Sequence, residues 1–210
     1  MANQRSAISG IADYSKTRVM LFNGVGVAPS DVPASAFIQD LSGLQPLDAT
    51  LTALAALDSS AGILQQTGAD TFAKLPYAVG TWTPTLIPAS GSFGAITYDA
   101  ITAGEYTRIG NILIATGSLR TDAITIGTAS GAMSIGGLPV TSAAPSVMTV
   151  GYSADWSTNN PTGGLLQQSA TTIQILYRAT ANGNSASLTH TSLGTGANAN
   201  DIRFSIMYRV

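Results

Sequence analysis

The stretch Asp201-Ile-Arg-Phe-Ser-Ile-Met-Tyr-Arg-Val210 alternates strictly enough to decide the fold class. Ile202, Phe204, Ile206 and Tyr208 fall on one face, against Asp201, Arg203, Ser205 and Arg209 on the other. A period of two is the signature of a β-strand with one face in a core. Thr172–Arg178 repeats it, with Ile173, Ile175 and Tyr177 opposite Thr172, Gln174 and Arg178, and Leu176 as the apolar exception. Asn111–Arg120 (NILIATGSLR) is apolar on both faces, the pattern expected of a strand covered on two sides. Further strands are expected near Ala95–Tyr98, Glu105–Ile109, Ala132–Ile135, Ser146–Tyr152, Gly164–Gln168 and Ser185–Thr189. Turn clusters separate them at Gly136-Gly137, Ser157–Gly164, Asn182–Asn184 and Gly194–Asn200. Short strands spaced by roughly 8–15 residues from Gly80 onward predict a β-sandwich or jelly roll. A strand reaching residue 210 is normally tied into its sheet, so trimming its last residues is expected to unfold the domain.

Upstream the patterning changes. Arg18–Phe22 (RVMLF) is a short apolar run closed by the turn dipeptide Asn23-Gly24, and predicts a strand. Pro29, Ser30, Asp31 and Pro33 make 23–34 read as a connecting loop, and Ala34–Leu41 has the length of about two helical turns before Gly43. Leu44, Leu47, Leu51, Leu54 and Leu57 then lie on one helical stripe, with Pro46 suited to the helix entrance. A helix of about 11 residues is too short to stand alone in water. Its leucines need either the rest of the chain or the same stripe on sister chains, a short coiled coil.

Composition narrows the function. Ala (31), Thr (25), Gly (22) and Ser (22) dominate the 210 residues, and 10% are charged where about 25% is usual. With 45% hydrophobic residues, disorder is not expected. No apolar run approaches the ~20 residues of a membrane-spanning helix, and the N-terminus MANQRSAISGIADYSK lacks a signal-peptide pattern. A net charge of −2 offers no basic footprint for nucleic acid. So charge-poor a surface is expected to associate, and burial in an oligomer is one way out.

The chain is also thin in chemistry. Zero cysteines removes disulfides and thiolates. The lone histidine, His190, stands in LTHTS, where a triad or a threefold metal site competes with a plain structural role. Gly24-Val-Gly26 is not a dinucleotide fingerprint, because Pro29 stands where the third glycine belongs. Asp99, Glu105, Asp122, Asp155 and Asp201 form no evident acid–base pair. Asp201–Arg203 and Asp122–Arg120, two apart on strands, read as surface ion pairs. No catalytic residue, metal site or cofactor is expected. The clearest binding feature is Ser153–Gly164 (SADWSTNNPTGG), where Asp155, Trp156, Asn159 and Asn160 combine an indole with short polar groups. A ring to stack on and amides to fix hydroxyls suit a sugar. The alternative is that Trp156 plugs the end of the sandwich or a subunit seam.

Four segments, in order, resemble fibre and receptor-binding proteins of tailed bacteriophages. They are PLDATLTALAALDSSAGILQQTGADTF (Pro46–Phe72), GTWTPTL (Gly80–Leu86), GEYTRIGNIL (Gly104–Leu113) and SIGGLPVTSA (Ser134–Ala143). The last is similar to a fibre-head pattern with Val140 in place of the usual Phe. The resemblance implies a homotrimeric, non-enzymatic virion protein made in the bacterial host cytoplasm. Residues 1–45 would attach it to tail, baseplate or capsid proteins. Residues 46–79 would form a helical neck and linker, with Leu47, Leu51, Leu54 and Leu57 at the three-chain seam. Residues 80–210 would form a β-sandwich head presented to host surface polysaccharide, without nucleic acid or membrane insertion. A purely structural decoration or adaptor, and a glycan depolymerase, are the competing readings.

Overall fold

Threonine and branched apolar residues favour the pleated, half-buried surface of a sheet over a helix, and from Tyr77 to Arg209 the chain is built of strands. The computed structural model of the protein describes residues 49–57, 60–180 and 182–210 in full, and the backbone of two further strands. The chain divides into two units, one of residues 1–58 with 66–72, the other of 59–65 with 73–210.

In the first unit, β1 (Arg18–Leu21) pairs antiparallel with β2 (Ser30–Pro33), Arg18 opposite Pro33 and Leu21 opposite Ser30. The strand expected at Arg18 is present. Ser30–Pro33 is a strand rather than part of a loop, because a two-stranded ribbon has only edges and an edge tolerates proline. The expected helix at 34–41, with Leu44 and Leu47, lies outside the described residues. Helix α1 spans Ala49–Ala55 and buries none of its residues. Leu51 is 65% exposed, while Leu54 and Leu57 are half-buried. Thr50 Oγ1 donates to Asp70 Oδ1 at 2.6 Å.

Within the segment expected as neck and linker, the residues after the helix form a hairpin. Its strands are β3 (Ile63–Gly68) and β4 (Thr71–Leu75), with Asp70 in the turn at φ +50°. The head follows: β5 (Tyr77–Trp82), β6 (Thr85–Ser90), β7 (Ala95–Tyr98), β8 (Ala103–Ile109), β9 (Ile112–Thr125) and β10 (Ser130–Gly136). It continues with β11 (Ser146–Ala154), β12 (Gly163–Leu166), β13 (Ile173–Tyr177), β14 (Ala186–Ser187) and β15 (Ala199–Arg209). These eleven strands form one bonded sheet in the order β5-β8-β9-β15-β11-β12-β13-β10-β6, with β7 added on β9 and β14 on β13. The head is thus mainly β, as its alternation predicts.

The sheet curls over itself. Leu113 and Leu119 of β9 and Ile202 and Phe204 of β15 share one buried cluster with Leu166, Ile173, Ile175, Met133 and Ile135 from the far end of the strand order. The two layers of the sandwich are therefore parts of one continuous sheet. Trp82 anchors it: the indole N–H donates to the Thr116 carbonyl at 3.0 Å, and the ring meets Phe204 edge-on at 6.0 Å. Gly104 and Gly117, directly paired, sit beneath these two rings, where any Cβ would collide with them. β9 departs from the expectation of double cover. Leu113, Ala115, Leu119 and Thr121 point inward, but Ile114 stays 46% exposed because none of the described residues forms a layer over its outer face.

The head has two unlike ends. At one, the chain enters at Tyr77, Gly110 N–H donates to the Pro76 carbonyl (2.7 Å), and Val210 N–H to that of Asn111 (2.9 Å). The β8–β9 turn there needs only Gly110 and Asn111, with Gly110 at φ +61°, as a type II′ hairpin requires. The 137–145 loop clamps the last strand at this end: Tyr208 O–H donates to the Val140 carbonyl (2.9 Å) and Ala143 N–H to that of Arg209 (2.7 Å). The strand directions place loops 99–102, 126–129, 155–162, 182–185 and 194–198 at the opposite end.

Candidate functional site

The loop-bearing end is built around a buried asparagine. Asn200, at φ +56° and fully buried, accepts from Gly194 N–H (2.8 Å) and donates to Gly194 O (2.8 Å) and Thr121 Oγ1 (2.7 Å). Thr121 in turn donates to the Ala199 carbonyl at 3.1 Å. Every polar group of this amide is occupied, so the 194–198 loop is fixed to the end of β9. Asn200 N–H also reaches the Asp155 carbonyl (3.0 Å), tying in the 155–162 loop.

That loop does not carry Trp156 as a surface platform. The indole is 8% exposed, belongs to the core cluster, and donates to the Asp201 carbonyl at 3.2 Å. This corrects the expectation of an open stacking ring: the position just after β11 turns the side chain inward, and Trp156 plugs the end of the sandwich. Its neighbours face outward. Asp155 is exposed at φ +59°, Asn160 is exposed, and half-buried Asn159 lies 3.4 Å from Ser192 Oγ. Ser157 N–H donates to the Ser192 carbonyl (2.9 Å), and Thr158 and Ser192 hydroxyls meet at 3.0 Å. The four sequence-predicted residues are therefore brought to one place, three at the surface over a tryptophan floor.

Beside them lies an ionic cluster that strand spacing alone does not reveal. Arg120 contacts Asp99 at 2.7 Å and Asp201 at 3.9 Å, and Arg203 stands 3.7 Å from Asp201. Asp201 is buried, so the expected surface pair with Arg203 has a buried carboxylate, and Arg120 turns to Asp99 rather than to Asp122. The Ile101 N–H and then the Arg120 guanidinium hold the Asp99 carboxyl below the usual carboxylate range. The Asp99 hydrogen bond correspondingly raises Arg120. Arg120 Nε, Asp201 Oδ1 and Ser153 Oγ are buried without a hydrogen-bond partner among the described residues. Arg203 also lies over the Tyr152 ring, 5.5 Å from its centroid.

Arg203 closes one side of a shallow trough of about 350 Å³ across β8, β9 and β15, walled by Glu105, Thr116 and Ser118. Carboxylate, hydroxyls and guanidinium in one furrow are equipped to hydrogen-bond a polyhydroxylated ligand. These residues escape a sequence reading because they are far apart in the chain; the only local hint is their polarity at outward strand positions. His190 opens a short 3-10 turn, half-buried, with no hydrogen-bond partner for its buried Nδ1 among the described residues. Among the described residues no group of three His, Asp or Glu side chains is placed to hold a metal, and no helix is long and apolar enough to cross a membrane.

No protein-family model and no curated protein sequence matches the chain. Among solved structures it is similar to the crystal structure of Dettilon tailspike protein (gp208), at 20% identity and a TM-score of 0.48. That likeness covers 63% of this chain and 24% of the other, so it spans about a quarter of that protein's length. A TM-score under 0.5 adds nothing to the functional argument, which stands on this chain's own residues.

Proposed function

We propose that this chain is a bacteriophage fibre or spike protein, a homotrimer that displays its β head to the host cell surface. The observation that carries the reading is the polarity of the head: the chain enters at one end, and the polar loops 155–162 and 182–185 lie at the other. That layout suits a tip held from behind. The motifs that resemble fibre heads occupy the decisive positions in it. GTWTPTL supplies the Trp82 anchor, GEYTRIGNIL forms β8, its turn and the start of β9, and SIGGLPVTSA supplies β10 and the loop that clamps Tyr208. Residues 1–45 serve as the virion attachment. Leu47, Leu51, Leu54 and Leu57 serve as a three-chain neck, a role favoured by a helix that buries none of its described leucines.

The ligand class is surface polysaccharide. It is held by Asp155, Asn159 and Asn160 at the loop end. Three weak sites per trimer, multiplied over a virion, give tight attachment through avidity. The role is one of binding without catalysis. The test is binding of fluorescently labelled full chain to a panel of bacterial strains, before and after periodate oxidation of surface glycans. Saturable binding to some strain, lost on oxidation and weakened in Asn159→Ala/Asn160→Ala, is expected. Decoration of virion proteins alone would identify an adaptor instead, and release of shortened glycan a depolymerase.

A further inference from the structure

The outer face of β5-β8-β9-β15-β11 has the wrong chemistry for a surface that faces water. In an antiparallel sheet with one buried face, the other is normally polar. Here the register aligns Val79, Thr107, Ile114 and Met207 in one cross-strand row. Val147 of β11 extends it, since Met148 pairs with Ile206 and Ser146 Oγ donates to the Met207 carbonyl. Val79 is 61% exposed, Ile114 46%, Met207 61% and Val147 67%. The adjacent row adds exposed Tyr77 and Ile109, paired directly with each other. Together they make a continuous apolar patch on the order of 500 Å², at the upper end for a monomer. With its threonine and serine margins the face approaches the ~800 Å² that each partner contributes to a stable interface.

The charges bordering this patch are sorted. The outward positions of β5 and β8 carry one acid, Glu105, and no base; those of β15 and β11 carry two bases, Arg203 and Arg209, against one acid, the buried Asp201 beside Arg203. One half of the face is thus complementary to the other half, in charge as in apolar content. That is the pattern of a surface that meets a copy of itself head to tail. We infer that this face is the contact between copies of the chain, the β5–β8 half of one seated on the β15–β11 half of the next. The inference rests on the trimeric reading only for the number at which the ring closes. The patch lies toward the end where the chain enters, which leaves the loop-bearing end outside the seam.

The full chain tests this by light scattering and by cross-linking. Ile114→Asp/Met207→Lys replaces two exposed side chains outside the core, so the circular dichroism should be unchanged while the mass falls from three chains to one. Val79→Cys/Val147→Cys places two thiols in a chain that has none. Within one chain they lie four strands apart, roughly 19 Å, beyond the ~7 Å Cα separation a disulfide spans. Oxidation should therefore yield a covalent ladder ending at three, with neither single variant linking. A trimeric wild type whose charge variant stays trimeric, and whose cysteine pair does not link, overturns the face but leaves the fibre reading standing. A ladder ending at two overturns the head-to-tail arrangement, and a monomeric wild type overturns the inference together with the trimer.

Discussion

At the scale of single residues, Trp156 shows how a side chain's meaning depends on which way its strand delivers it. Its sequence surroundings, Asp155 before and Ser157–Asn160 after, are those of a surface loop, and nothing local separates a ring presented to a sugar from one turned inward. The decision is made by β11, which pairs Ala154 with Asp201 and leaves the next ring beneath the 155–162 loop, bonded to the Asp201 carbonyl. Trp156→Ala should therefore lower head stability by about 3–5 kcal/mol, the usual cost of emptying a buried aromatic site. Chemical denaturation measures it. A variant that keeps full stability but loses cell binding would return the indole to the surface. Asp155 and Asn160 were legible as exposed loop polar groups, whereas Asn159 is half-buried against Ser192. Arg203 and Tyr152 were not, because their meeting depends on a pairing between β11 and β15 across a bulge.

At the scale of elements, alternation was a reliable guide where one face is buried and misleading where both are apolar. β13 and β15 fall where the period of two puts them, and β7 matches its expected span. β9 runs on to Thr125, past the polar Arg120–Asp122 where an apolar pattern ends, because β7, β8 and β15 all bond to it. Its outward isoleucines imitate a second buried face. The hairpin β3–β4 was hidden by threonine, glutamine and glycine with no apolar alternation, and all six residues of β3 are exposed. Charge fastens three of these elements together at the loop end: Asp99 follows β7, Arg120 is on β9 and Asp201 on β15. Because the folded Asp99 carboxyl titrates below its unfolded value, this clamp contributes fully above the ordinary aspartate range near pH 4. Its contribution is lost as the pH falls through the lowered folded value. Asp99→Asn should lower stability at pH 7 and flatten the loss below roughly pH 4, where the folded carboxylate takes up its proton. Thermal melts of both proteins across that range check it. Parallel acid profiles would show that Asp99 is not part of the clamp.

At the scale of the whole molecule, the head should be separable from what precedes it, and the structure says where to cut. A boundary at Gly80 divides β5, which pairs with β8 from Tyr77–Ile109 to Trp82–Gly104. A fragment beginning at Ala73 keeps all of β5 and β4's last residues, and with them the Trp82 ring over Gly104 and its bond to Thr116. One beginning at Thr83 loses both the strand and the ring that fills the core against Phe204. The first should melt at the temperature of the head in the full chain. The second should melt well below it, since an emptied tryptophan site alone costs about 3–5 kcal/mol. Solution mass gives the second reading of the same fragments. Tyr77 and Val79 lie in the apolar patch of the outer face, so the longer fragment retains the whole of that patch and should associate without α1 or its leucines. If the longer fragment is folded yet monomeric while the full chain is trimeric, the leucine stripe alone holds the copies together. The outer face of the sheet would then be a tip surface awaiting a different partner.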